Sequence, residues 1–202
     1  MDSPRRARLL RFARVAITLA LVMPCVPAAA ATRPSKDLSL TIRFKDGKSR
    51  FRQGEIVRLV LEYSSPTRNV YGGSTASYDR SGRIDLEMFE VTPKEGTADP
   101  LYDYYHSGVG VFFGGGLRSS FTLGEKPFTL DRDLNEWVRF DRPGHYTLRV
   151  ISPRVSRRET PDARPESITL TSNALELEIV PASPAWAAAE LRRVVNALEG
   201  KD

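Results

Sequence analysis

The stretch "FDRPGHYTLRV", residues 140–150, decides the fold of this chain because it joins a turn signal to the start of a strand. Pro143 fixes one backbone angle and Gly144 is free to adopt a positive φ, so "DRPG" predicts a tight turn. The flanking segments "NEWVRF" and "HYTLRVI" have the composition of strands. We therefore predict two closely spaced strands around this turn, with Trp137 in the core beside Tyr146.

Apolar and polar residues alternate in several other segments, which is typical of half-buried strands. In one of them the alternation changes parity between Met88 and Phe89, which predicts a bulge or a strand that crosses between environments. Polar breaks separate the segments, and none of the breaks has helical periodicity. Six or seven short strands without an interior helix predict an all-β sandwich. The alternating segments are "LSLTIRF", "GEIVRLVLEY", "RIDLEMFEV" and "ALELEIV".

The last segment, residues 182–202, has the pattern of an amphipathic helix. Ser183 is a favourable N-cap, Pro184 suits the first helical position, and Gly200 suits the C-terminal cap. One face carries an apolar stripe that must be buried somewhere, either on an open sheet edge or against a helical array. The residues that would contact a partner through this stripe are Leu191, Val194 and Leu198.

The turn segment resembles the tyrosine corner of immunoglobulin-like sandwiches. Asp141, Gly144 and Tyr146 stand in the expected order, and Leu148 occupies the position of the second cysteine in antibody-type domains. The segment "FRQGEIVRLVLEY" is similar to the second strand of many bacterial immunoglobulin-like modules. The resemblance implies an antiparallel immunoglobulin-like β-sandwich with a long Gly- and aromatic-rich loop, followed by one C-terminal helix.

A wider set of segments is similar to one family of exported bacterial proteins. In that family an N-terminal immunoglobulin-like sandwich precedes a HEAT-type helical repeat array, and no function is assigned. The resemblance spans nearly the whole chain after residue 31 and implies no catalytic residue. The segments are "YDRSGRIDLEMFEV", "DPLYDYY", "GGGLR", "DLNEWVRFDRPG" and "IVPASPAWAAAEL".

The N-terminus, residues 1–31, predicts a secretory signal peptide. Five arginines precede an apolar run of 12 residues and a cluster of alanines, and this run is far shorter than the ~20 residues that span a bilayer. We expect an exported protein, periplasmic or secreted, with a sandwich domain over residues 32–181 and the helix over 182–202. The mature chain would have no transmembrane segment.

The charge balance excludes a nucleic-acid-binding protein. The whole chain has 30 basic and 25 acidic residues, and removal of residues 1–31 leaves 25 and 24. No basic footprint for nucleic acid or for a membrane surface remains. Arg154, Arg157 and Arg158 belong to a charged segment, residues 154–165, that we expect to form a solvated loop. The only cysteine, Cys25, lies within the signal peptide.

Residues 104–121, "YYHSGVGVFFGGGLRSSF", contain five glycines within nine positions. The segment lacks both phosphate-binding motifs, because Phe113 replaces the third glycine of the dinucleotide fingerprint and Leu117 replaces the Walker lysine. Its aromatic side chains either bind a partner or cover the end of the core. The candidate ligand-binding residues here are Tyr102, Tyr104, Tyr105, His106, Phe112, Phe113 and Arg118.

Catalytic and metal-binding signals are weak. A hydrolase would use His106 with Asp99 and Asp103, but no nucleophile motif accompanies them. The segment "DRDLNE" matches the first three ligands of a calcium loop, yet Glu136 stands where glycine belongs. We expect no metal and no cofactor.

Three functions remain. The first expectation is an exported, non-catalytic module that binds a protein or a glycan. The second is a structural adaptor whose C-terminal helix docks on a helical-repeat partner. The third, a hydrolase, has the least support.

Overall fold

The computed structural model describes residues 37–76, 86–106, 119–157 and 166–200 of the chain. The signal peptide predicted for residues 1–31 and three candidate ligand-binding residues, Phe112, Phe113 and Arg118, lie outside these ranges. Strands predominate in the described part, and the predicted all-β class with a C-terminal helix is confirmed. The strands are β1 (Ser39–Phe44), β2 (Arg50–Arg52), β3 (Arg58–Ser64), β4 (Tyr71–Ser74), β5 (Met88–Thr92), β6 (Thr97–Ala98), β7 (Ser120–Thr122), β8 (Phe128–Asp133), β9 (Arg139–Phe140), β10 (Gly144–Arg157), β11 (Glu166–Thr171) and β12 (Leu175–Val180), and the helices are α1 (Tyr102–His106) and α2 (Pro184–Leu198).

The strands form three sheets. The first has the antiparallel order β1-β3-β8, and the smallest pairs β6 with β9. The largest contains β2, β12, β10, β4 and β7 in that order, and β5 and β11 also pair with β10. The registers place β12 and β11 along one edge of β10. Strands β5 and β4 lie along the opposite edge of β10. The 14-residue strand β10 is therefore the element that organises the large sheet.

The predicted alternation holds in the strands that form the core. In β1 the buried side chains are Leu40, Ile42 and Phe44, and in β12 they are Leu177 and Ile179. These side chains join one hydrophobic cluster with residues of the large sheet. Since burial of one such side chain contributes about 1.5–3 kcal/mol, this shared core provides the main stabilisation of the fold.

The segment before the "DRPG" turn differs from its prediction. Leu134–Glu136 forms a 3-10 turn, and the short β9 that follows pairs with β6 rather than with β10. The Asn135 side chain explains the turn, because its amide oxygen accepts from the Val57 N–H at 2.7 Å and its nitrogen donates to the Glu55 carbonyl at 3.0 Å. Trp137 is buried as predicted and packs on Phe89, with ring centroids 4.9 Å apart.

The two helices also differ in part from expectation. The short α1 contradicts the prediction that no helix interrupts the strands. The predicted cap of α2 is confirmed, since the Ser183 hydroxyl accepts from the Trp186 N–H at 3.2 Å. Gly200 has the positive φ of +65° expected of a glycine after a helix C-terminus. Neither described helix is long and apolar enough to cross a membrane.

Candidate functional site

A groove of about 700 Å³ lies beside β5 and is the main candidate site among the described residues. We call it the β5 groove. Its volume is within the range of small-ligand and peptide pockets. Its lining is mainly apolar, with a few charged groups among the lining residues. The residues that line it are Glu87, Met88, Phe89, Glu90, Val91, Lys94, Thr97, Ala98, Asp99, Trp137 and Val138.

The apolar lining of the β5 groove comes from two parts of the chain. Phe89 is half-buried in β5, and Trp137 is held beneath the surface by the 3-10 turn that precedes it. Met88 is 58% exposed, although it continues the apolar alternation of its segment. A large exposed thioether is typical of adaptable binding surfaces.

Helix α1 begins three residues after Asp99, which lines the groove. The Asp99 carboxylate accepts from the Leu101 N–H at 2.9 Å and so fixes the turn into the helix. Tyr102 is 56% exposed and Tyr104 is 54% exposed, while Tyr105 is half-buried. The first two tyrosines therefore do not cover the core, although the Tyr102 ring stacks on His106 and the Tyr104 ring packs edge-to-face with Tyr105.

The three residues of the hydrolase hypothesis, Asp99, Asp103 and His106, lie in α1 or in the turn before it. The His106 ring stacks on Tyr102 with centroids 4.1 Å apart, and its Nδ1 bonds to the Tyr102 carbonyl at 2.8 Å. Asp103 is exposed on the helix. Among the described contacts, none joins His106 to Asp99 or Asp103. Asp99 and His106 instead bond to main-chain groups of α1 and of the turn before it.

The oxygen ligands considered for calcium have other partners. Asp131 pairs with Lys45 at 2.5 Å and Asp133 lies 3.8 Å from Arg58, while Asn135 holds the 3-10 turn. Within the described ranges no three His, Cys, Asp or Glu side chains group as a metal site requires.

A buried ionic cluster adjoins the β5 groove through Glu87. Both Glu87 oxygens accept from Arg154, at 2.5 Å from its Nε and 2.8 Å from its Nη2. The second guanidinium, that of Arg132, lies 3.8 Å from the same carboxylate. The Tyr63 hydroxyl, which carries one proton, lies within hydrogen-bond distance of Glu87 at 3.2 Å and of Ser152 at 2.9 Å. All five side chains are buried.

Contacts within the cluster stabilise the charged form of Arg154 and the neutral form of Tyr63. Burial lowers the pKa of Arg154, but the hydrogen bonds and charge of Glu87 outweigh it and hold that pKa above its ordinary value. Burial and then the charge of Glu87 raise the pKa of Tyr63 well above its ordinary range. Arg154 also donates to the carbonyls of Ser74 and Ala76, at 2.7 and 2.6 Å. The cluster therefore fixes β4 and the start of β5 to β10.

The sequence pattern does not predict this cluster. Arg154 was expected in a solvated loop, but it lies in β10 and is 5% exposed. The alternation of buried positions along the observed β10 indicates the cluster, because Ser152 and Arg154 continue the series of buried positions that starts with Leu148 and Val150. Likewise Glu87 shares its parity with the buried Val91.

Helix α2 exposes the apolar stripe predicted from the sequence. Leu191 is 65% exposed, Val194 39% and Leu198 83%, and no residue of α2 is buried. At its first turn, the Trp186 ring lies 5.5 Å from the Arg52 guanidinium. Within the described part of the chain, the stripe therefore does not pack on a sheet edge.

Comparison of the chain with protein-family models, with curated proteins and with solved structures finds no match.

Proposed function

We propose that this protein is an exported, non-catalytic module with an immunoglobulin-like β-sandwich, and that it binds a protein or a glycan. Binding takes place at the β5 groove and at the tyrosines of α1. Export rests on the sequence pattern of residues 1–31 and leads to the periplasm or the exterior.

The immunoglobulin-like assignment is supported by the geometry around Tyr146. Its hydroxyl donates to the Arg142 carbonyl at 2.8 Å, four residues upstream, as in a tyrosine corner. Leu148, at the position of the second cysteine, is fully buried. The sheets share one hydrophobic core and are antiparallel except where β2 pairs in parallel with β12, which is consistent with the same class.

The observation that carries the binding function is the exposure of large apolar groups in the β5 groove and on helix α1. Met88, Tyr102 and Tyr104 are each more than half exposed, whereas most large apolar residues of the described strands are buried. Such a grouping is typical of an interaction site.

Binding can be tested with the full chain on a glycan array and against a displayed library of random peptides. We expect Met88→Ser and Tyr102→Ala/Tyr104→Ala to weaken the binding of selected ligands at least tenfold. Lys126→Ala is the matched control, because Lys126 is exposed but does not line the groove. The proposal fails if no ligand is selected, or if every selected ligand binds all variants equally.

The second candidate function is an adaptor that docks on a helical-repeat partner through α2. The exposed Leu191 and Leu198 favour it, because an apolar stripe of this size is rarely left in water. A photo-crosslinking residue can replace Val194 in the stripe, and as a control Arg192, which does not belong to the stripe. Adducts with a helical-repeat protein from position 194 alone would support the adaptor. Equal adducts from both positions, or none, would contradict it.

A further inference from the structure

The β5 groove follows the edge of a strand rather than one of its faces. Successive side chains of a strand point to opposite faces of the sheet, so a pocket on one face touches every second residue. This groove is lined by five consecutive residues, 87–91. Only a pocket that runs along the strand edge contacts residues of both parities in this way.

That edge of β5 has no partner among the described strands. One edge of β5 pairs with β10 from Thr92 to Met88, and no described strand pairs with the other. The opposite wall of the groove comes from Thr97–Ala98 and from Trp137 and Val138, and β6 pairs with β9 instead of with β5. The unpaired N–H and C=O groups of such an edge form a template for another strand.

We propose that the β5 groove binds an extended peptide segment of a partner protein, which adds a strand to the large sheet beside β5. This inference rests on the proposed binding function and specifies its ligand. Main-chain hydrogen bonds to β5 hold the peptide, and apolar side chains at every second position enter the groove beside Phe89 and Trp137.

The charges of the groove define the peptide further. The lining has three carboxylates, of which Glu87 is paired with Arg154, and one ammonium, Lys94. Arg149 lies opposite Glu90 in the β5–β10 register but does not line the groove. The preferred peptide therefore alternates apolar residues with residues that include lysine or arginine. A glycan would use the aromatic faces but not the open main-chain edge, so the edge favours a peptide.

The test begins with peptides selected from a displayed library of random 12-residue sequences on the full chain. Each selected peptide is resynthesised with a single N-methyl group at successive positions. In an added strand only every second amide donates to β5, so we expect about tenfold weaker binding for N-methylation at one parity. N-methylation at the other parity should leave the affinity within about twofold and serves as the matched control.

Amide hydrogen exchange provides a second readout on the protein. Bound peptide should slow exchange at alternate amides between residues 88 and 92, those that face away from β10. Met88→Ser, an exposed change that spares the core, should weaken peptide binding while the protection pattern of the sheet persists.

Other outcomes overturn the inference in distinguishable ways. Peptides that bind without parity dependence, or glycans that bind alone in a Met88-sensitive manner, contradict strand addition but retain the binding function. Concentration-dependent self-association with the same protected amides would identify a second copy as the occupant. Tighter peptide binding by Phe112→Ser/Phe113→Ser would identify the chain's own segment as a competitor. Absence of any Met88-sensitive ligand removes both proposals.

Discussion

Glu87 and Arg154 show how one charged pair can be kept inside an apolar core. Neither ion would be stable there alone, because removal of a charge from water costs several kcal/mol. Here the carboxylate receives two hydrogen bonds from one guanidinium, and the guanidinium also donates to two main-chain carbonyls. The pair is thus compensated only as a unit, and each partner depends on the other.

Removal of one partner should therefore be costly. We expect Arg154→Met to lower the free energy of unfolding by about 3–5 kcal/mol, because it leaves the Glu87 carboxylate buried without its main partner. The double variant Glu87→Met/Arg154→Met should lose less than the sum of the single changes, by about 0.5–3 kcal/mol. Urea denaturation measures all three, with the exposed Arg149→Met as the control. Strictly additive losses would contradict the coupling.

Tyr63 makes the fold sensitive to alkaline pH. Burial, and then the charge of Glu87, raise the pKa of its hydroxyl above the ordinary value of 10.0, so the folded state keeps this proton after the unfolded state has lost it. The stabilisation is complete below pH 10 and is lost as the pH rises above it, by up to about 1.4 kcal/mol per pH unit.

The substitution Tyr63→Phe tests this pH dependence. The variant should be less stable at pH 7 by about 1–3 kcal/mol, because Glu87 and Ser152 lose a hydrogen-bond partner. Between pH 10 and 11.5 its free energy of unfolding should fall less steeply than that of the wild type. Parallel slopes in urea denaturation at these pH values would show that Tyr63 does not cause the alkaline loss.

At the scale of elements, strands with clean alternation were predictable and strands interrupted by a polar or cyclic residue were not. The pattern predicts β1 and β12 because each residue's environment follows from its parity. The extension of β10 to Arg157 was missed because Pro153 signals a break. In the structure Pro153 lies where the β10–β11 register shifts, a position that tolerates a missing N–H.

The candidate site was predictable only where one segment supplies it. The apolar stripe of α2 follows from helical periodicity within one segment, whereas its exposure is known only from the structure. The β5 groove combines β5 with Trp137, and the 3-10 turn before Trp137 depends on hydrogen bonds from Asn135 to residues about 80 positions away. Single-sequence patterns do not report contacts of this range. Tyr102 and Tyr104 were identified as candidates, but only the structure gives their exposure.

Close approach of β4 to its neighbours requires glycine at position 73. A Cβ atom there would lie 2.6 Å from the Arg154 carbonyl oxygen and 2.8 Å from the Phe121 ring. We expect Gly73→Ala to lower the free energy of unfolding by about 1–3 kcal/mol through overpacking. Gly124→Ala is the matched control, since its Cβ would meet no atom within 4 Å. Equal effects of the two changes in thermal denaturation would contradict this account.

At the scale of the whole molecule, stability and recognition depend on different parts of the described chain. The hydrophobic cluster and the Glu87–Arg154 pair hold the sheets together, whereas the proposed contacts use the open edge of β5, the tyrosines of α1 and the stripe of α2. Surface substitutions at the proposed sites should therefore change binding without unfolding the protein, which makes the binding experiments interpretable.

Removal of residues 182–202 tests this separation most directly. Since α2 buries no residue, we expect the shortened chain to lose only about 1 kcal/mol of unfolding free energy, mainly from the contact between Arg52 and Trp186. Trp186→Ala in the full chain should reproduce most of that loss in urea denaturation, and Leu191→Ser should reproduce none of it. A loss of several kcal/mol on truncation would instead mean that α2 belongs to the core, and the adaptor function would lose its free surface.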